Sequence, residues 1–135
     1  MKSRALSFLA IGAGLVLAAV PVFAHHSFAA EYDAAKPVTL TGAVTKVEWA
    51  NPHVRFHADV SDDSGKTVSW EFEMGGPNAL MRLGWTRDSL KPGDKITVDG
   101  FLAKDGSHLV NAKSVNLSDG RKVFAGSSGD GSPTR

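Results

Sequence analysis

The residues best equipped for chemistry in this chain are its five histidines, His25, His26, His53, His57 and His108. Imidazole binds transition metals, exchanges protons near neutrality and can donate or accept a hydrogen bond. Spacing decides which of them can cooperate. His53 and His57 look like a pair, yet four residues along a strand at ~3.3 Å each separates them by ~13 Å, too far to share one ion. His25 and His26 are different. If cleavage follows Ala24, His25 carries a free α-amine beside its imidazole, and with a further imidazole as third ligand these nitrogens form a set suited to Cu(II). His26 is the nearest third ligand, and His53 or His108 could serve if the N-terminal arm folds back. The competing reading is that both histidines only begin a mobile terminus beside a cleavage site. No closed four-ligand spacing of a structural zinc site is present.

The cleavage itself is read from the first 24 residues. Met1–Arg4 is a short basic region, Ala5–Val20 is apolar without a charge, and Val22 and Ala24 supply the small residues a signal peptidase needs. Residues 1–24 are therefore expected to be a cleaved signal peptide, which places the mature protein in the periplasm with no membrane span. The apolar run is short for a spanning helix of ~20 residues. Removing Lys2 and Arg4 from the 15 basic residues leaves 13 against 14 acidic ones, a mature net charge of −1. Such a balance disfavours nucleic acid, which rewards a concentrated basic face. Cysteine is absent, so no disulfide supports the fold, and about 110 residues can bury a sufficient core without one.

The elements that must position the histidines are strands. Residues 25–37 read as an N-terminal arm, either a short helix from Ser27 to Ala35 stopped by Pro37 or an extended segment. From Val38 the period is two: Val38, Leu40 and Val44 share one parity, and the phase then slips so that Val47 and Trp49 are apolar. A one-residue slip beside Gly42 predicts a β-bulge in a long, bent first strand. After a corner at Asn51-Pro52, Val54, Phe56, Ala58 and Val60 alternate with His53, Arg55, His57 and Asp59. A turn at residues 62–65 leads into Val68, Trp70, Phe72 and Met74. Matching the apolar faces pairs Val60 with Val68, Ala58 with Trp70 and Phe56 with Phe72. The opposite face then sets His57 against Glu71 and Arg55 against Glu73, exposed pairs worth only ~0.2–1 kcal/mol each.

Pro77–Gly84 has the proline start and glycine end of a short helix, with Leu80, Met81 and Leu83 on its buried side. Ile96, Val98 and Gly100 open a fourth strand, and a fifth runs from about His108 to Leu117. Residues 119–135 form a C-terminal extension, disordered from about residue 126. The order of three strands, one helix between strands three and four, and two more strands describes a mainly β, five-stranded OB-fold-like barrel over residues 38–118. A five-stranded sandwich is the alternative.

His25-His26-Ser27-Phe28 after the signal, followed by Trp49-Ala50-Asn51-Pro52-His53, resembles a family of small exported bacterial proteins of unknown function. The likeness extends through Lys36-Pro37-Val38 and Leu90-Lys91-Pro92-Gly93-Asp94. It implies export and a small β-barrel, and it brings no activity, substrate or cofactor.

An OB-like barrel would gather Trp49, Asn51, His53 and His108 around one mouth, because the loops joining strands one to two and four to five flank its ligand face. Trp49 could stack on a small polar ligand and Asn51 or His53 could hydrogen-bond to it. Asn51 could equally hold an Asx-turn before Pro52. Catalysis finds no support: Ser27 beside two histidines is no triad, and no acid–base pair can be placed in a cleft. The expected function is a periplasmic, non-enzymatic binding or adaptor module whose partner is a small polar ligand, a metal ion or another periplasmic protein. Such a module needs no cofactor. The alternative is copper binding through His25, with His26 or His53.

Overall fold

A computed structural model describes residues 28–127 of the chain. The expected signal peptide, His25 and His26 lie outside the described residues. Within them, no helix is long and apolar enough to cross a membrane.

The strands are β1 (Tyr32–Glu48), β2 (Arg55–Ser61), β3 (Thr67–Glu73), β4 (Lys95–Ala103), β5 (Leu109–Asn116) and β6 (Lys122–Phe124), with helix α1 (Pro77–Arg82) between β3 and β4. Neighbouring strands run β3-β2-β1-β4-β5-β6, and β3 also pairs in parallel with β5, so the sheet returns on itself. The fold is mainly antiparallel β, as the alternating pattern requires. The β2–β3 register is the one that the apolar faces predict, residue for residue from Phe56↔Phe72 to Val60↔Val68. The expected bulge in β1 lies between Val44 and Lys46.

Inward-facing Val44, Phe56, Ala58, Phe72, Met74, Leu80, Val98, Val110 and Val115 form the core. Phe56 and Phe72 stack at 4.8 Å between ring centroids. Leu80 of α1 is buried in it, but Met81 is 53 % exposed. This corrects the three-residue buried side expected for the helix: at one turn and a half, α1 turns only Pro77 and Leu80 fully inward.

Both ends of the described segment depart from expectation. The helical turn is confined to residues 28–31, and β1 starts at Tyr32 rather than Val38. The arm is thus partly a strand, with Tyr32 opposite Ala103 and Pro37 opposite Phe101. Pro37 stops no helix, and a strand accommodates it.

At the other end a sixth strand follows residue 119, and Gly126 and Ser127, expected to be disordered, are packed. The Gly75 N–H donates to the Ala125 carbonyl at 2.8 Å, and the Ala125 N–H to that of Lys113 at 3.0 Å. Ala112 accepts the Ser127 hydroxyl proton at 2.6 Å. The connector is tied to the same segment, since Trp85 Nε1 donates to the Phe124 carbonyl at 2.8 Å. A Cβ at Gly75 would run into the backbone carbonyl of Gly126, so only glycine allows this closure. Gly75→Ala should lower unfolding free energy by about 1–3 kcal/mol, the usual range for overpacking. In a chain ending at Phe124 the same substitution should have almost no effect. Urea denaturation of the four proteins measures the difference.

Candidate functional site

The predicted corner exists, but it does not gather all four predicted residues. β1 ends at Glu48 and β2 begins at Arg55, leaving Trp49–Val54 as the connection, with a cis peptide bond at Asn51-Pro52. The Val54 N–H donates to the Gly75 carbonyl at 2.9 Å, and the Met74 N–H to that of Val54 at 2.9 Å. His53 therefore stands beside the end of β3, and its Nδ1 is 3.0 Å from the Met74 carbonyl. A carbonyl can only accept, so Nδ1 carries the proton, and in the neutral ring Nε2 is left with its lone pair.

The corner is also pressed onto the β3–α1 junction. A Cβ on Gly76 would lie 2.9 Å from the Pro52 carbonyl oxygen and 3.8 Å from Asn51 Oδ1. Among the described residues the Asn51 side chain makes no hydrogen bond, so the Asx-turn reading gains no bond. Asn51 is exposed and His53 half-buried. Trp49 is half-buried against the core, which leaves it part architecture and part wall.

His108 stands elsewhere. Its carbonyl accepts from the Glu71 N–H at 2.9 Å, and its ring sits over Trp70 with centroids 4.7 Å apart. Trp70 on β3 and Met74 just past its end are four residues apart, a separation of ~13 Å if the chain stays extended. His108 therefore does not share a mouth with Asn51 and His53. Among the described residues no group of three or more His, Asp or Glu side chains could hold a metal ion.

The charged ladder beside the corner is rearranged as well. The strand register puts His57 opposite Glu71 and Arg55 opposite Glu73, yet Arg55 takes both carboxylates, at 3.1 Å from Glu71 and 2.8 Å from Glu73. His57 turns instead to Glu48 of β1 at 3.4 Å. Lys46 first, and His57 after it, hold the Glu48 carboxyl below its ordinary range. Glu73, expected in an exposed pair, is only 5 % exposed.

Part of what covers Glu73 comes from the N-terminal turn. Phe28 and Tyr32, one helical repeat apart, pack at 5.7 Å, and Phe28 meets Phe101 edge-on at 5.6 Å. Tyr32 is 1 % exposed, and among the described residues its hydroxyl has no partner in full hydrogen-bond geometry. Burial first, then the nearby Glu73 charge, push this phenol far above its ordinary pKa. Glu73 raises the phenol pKa both by its charge and as a nearby acceptor, although the contact falls short of full hydrogen-bond geometry.

Residues 13–111 match the DUF6152 family, described as a family of unknown function. The chain belongs to that family. No curated protein matches it. The matched stretch runs through β4 to Asn111 in β5, so the Trp49–His53 corner, the arm from Phe28 to Tyr32 and the Arg55–Glu73 pair are all parts of the family's shared region.

Sequence reasoning passed over Tyr32 and the burial of Glu73. The available signal was the Phe28–Tyr32 spacing, which puts two aromatics on one side of a single turn. The outward parity of Glu73 concealed the rest, because a second layer of chain covers that outer face. An unpaired buried hydroxyl carries a desolvation penalty of ~1–3 kcal/mol. Tyr32→Phe should therefore stabilise the protein by about 1 kcal/mol, raising Tm by roughly 4–8 °C in a domain of this size. Arg55→Met should be destabilising by about 2–3 kcal/mol by leaving Glu73 unpaired, whereas Arg55→Met with Glu73→Met should recover most of that loss. Thermal melts of the variants check both.

Proposed function

We propose that this DUF6152 member is an exported, non-enzymatic binding module that takes a small polar ligand at the Trp49–His53 corner of an OB-fold-like barrel. The observation that carries the reading is the state of two side chains on that corner. The Asn51 amide and the His53 Nε2 lone pair have no partner among the described residues, while the backbone beneath them is held by Met74, Gly75 and Gly76. A rigid support presenting an unpaired acceptor next to an unpaired amide is what directional recognition of a small polar group needs. Export is supported by the basic, apolar and small-residue order of residues 1–24. The barrel reading is supported by the β1–β2–β3–β5–β4–β1 ring of pairings, with a helix between β3 and β4. Another periplasmic protein offering the same polar group is an equivalent partner. The module needs no cofactor.

One observation favours copper as a second reading. The chain that would begin at His25 enters the described structure already folded onto the sheet, through Phe28 against Phe101. The same His53 Nε2 is a competent metal ligand. Reach limits the combination. Three extended residues span at most ~10 Å, whereas Phe101 to Arg55 crosses three strand spacings, ~14 Å. A site made of His25 and His26 alone asks nothing of the barrel, while one that includes His53 requires the arm to run toward β2.

The two readings separate experimentally. In a screen of small amides and carboxylic acids followed by NMR, hits should shift the Trp49 indole and the Asn51 side-chain amide. His53→Ala should remove those shifts while leaving the melting temperature within a few degrees. If His53→Ala unfolds the protein, the residue is architectural and the corner reading fails. For copper, protein beginning at His25 should bind Cu(II) at least tenfold more tightly than the same protein with its α-amine acetylated. Equal affinities would exclude the His25 chelate.

A further inference from the structure

A second binding surface lies away from the corner, on the outer face of β1, β4, β5 and β6. There Pro37, Val38, Phe101, Lys113, Lys122 and Phe124 border a groove of about 660 Å³, with Asp99 and Ser114 in its lining. That volume falls within the ~300–1,000 Å³ of small-molecule sites. Strand register explains the assembly: Thr39 is opposite Asp99, Asp99 opposite Ser114, and Ser114 opposite Phe124, one row across four strands.

The charges in this row are unequal. Asp99 accepts from the Thr39 hydroxyl at 2.7 Å, from Lys122 Nζ at 3.0 Å and from the Ser114 hydroxyl at 3.4 Å. Its negative charge is therefore already matched. Lys113 is exposed and, among the described residues, faces no carboxylate within salt-bridge distance. Two lysines and one aspartate leave the groove with a net charge of +1. Its other distinctive lining is apolar. Phe124 is 45 % exposed, a large aromatic left in water on a three-residue strand. Phe101, Val38 and Pro37 continue the apolar lining toward Phe28.

We propose that this groove binds a medium-chain fatty carboxylate, its alkyl chain along Phe124, Phe101, Val38 and Pro37 and its head group on Lys113. One positive charge unmatched among the described residues, on an apolar wall, is complementary to one negative head on an apolar tail. Neither a cationic amphiphile nor an uncharged one would meet both features. The site is independent of the corner, and neither Asn51 nor His53 contributes to it.

The test uses protein purified from cells expressing the full sequence, titrated with octanoate, decanoate and dodecanoate below their micellar concentrations. Chemical shifts should move at Phe101, Lys113 and Phe124, saturating at one ligand per chain. The Kd should fall about two- to fourfold per added methylene, the upper figure corresponding to full burial at ~0.8 kcal/mol per CH₂. Lys113→Glu should weaken dodecanoate binding at least tenfold with an unchanged melting temperature, because the side chain is exposed and only its backbone carbonyl holds Ala125. Dodecanol and dodecyltrimethylammonium should bind more weakly than dodecanoate. The proposal fails if dodecanoate moves none of these resonances. It also fails if the trimethylammonium compound binds as well, or if Lys113→Glu leaves the affinity unchanged.

Discussion

Everything in this fold depends on β1 pairing along two edges at once. Gly42 lies opposite Val60 of β2 and also opposite Ile96 of β4, and Ala43 lies opposite Asp59 and Lys95, so the two halves of the sheet meet across these two residues. The close approach is possible because Gly42 has no side chain: a Cβ there would meet the Asp59 carbonyl and lie 3.0 Å from Val60 Cγ2. Just beyond, the bulge between Val44 and Lys46 resets the inward parity. Val44 and Val47 can therefore both face the core although three residues separate them. Without the bend, β2–β3 and β4–β5 would lie in an open sheet and β3 could not reach β5. The corner at Trp49–His53 inherits its position from this, because it is the continuation of β1 past the bend.

Much of this was legible in the sequence because a period of two is unforgiving. A one-residue shift of β3 against β2 would turn Phe72 and Met74 to the outside, so their alternation with Glu71 and Glu73 specifies the register. The bulge was legible for the same reason, as a break in parity beside Gly42. The corner could be located, and His53 could be separated from His57 by distance alone. The placement of His108 could not be obtained this way. It depends on the parallel β3–β5 pairing, which sets Leu109 against Glu71, and local pattern carries no information about which strand pairs across a closure.

The remaining errors share one cause. Alternation tells which side of a strand faces the core, and it treats the other side as solvent. Here that other side is partly covered by the chain ends. Tyr32 arrives from the N-terminal turn, Ser127 from the C-terminal segment, and between them Glu73 and Asn111 become 5 % and 3 % exposed. A short aromatic turn and a Gly/Ser-rich tail have weak patterns because each buries only one or two side chains. Their packing relies on close backbone approach, Gly75 to Gly126, rather than on an apolar stripe. The carboxylate of Glu73 is tolerable under this cover because Arg55 meets it at 2.8 Å with an end still open to water. The Tyr32 hydroxyl, which reaches the same place without a fully formed hydrogen bond among the described residues, is where the second layer fits least well.

The filled interior constrains where function can reside. Phe56, Phe72, Met74, Val98, Val110 and Val115 all have no measurable exposure, so the ring is filled by its own side chains. A ligand has to be met outside the ring, where backbone is accessible or where a loop crosses the sheet's end. The corner supplies polar groups held over a glycine junction, while the β4–β6 face supplies an apolar wall with one cation, Lys113, that no carboxylate among the described residues pairs. These are different chemistries on separate parts of one frame. The His53 ring and the Lys113 ammonium share no hydrogen-bond partner, and no described ion pair links them. Occupancy at one surface would have to act through the close-packed core, including the Phe56–Phe72 stack, to affect the other.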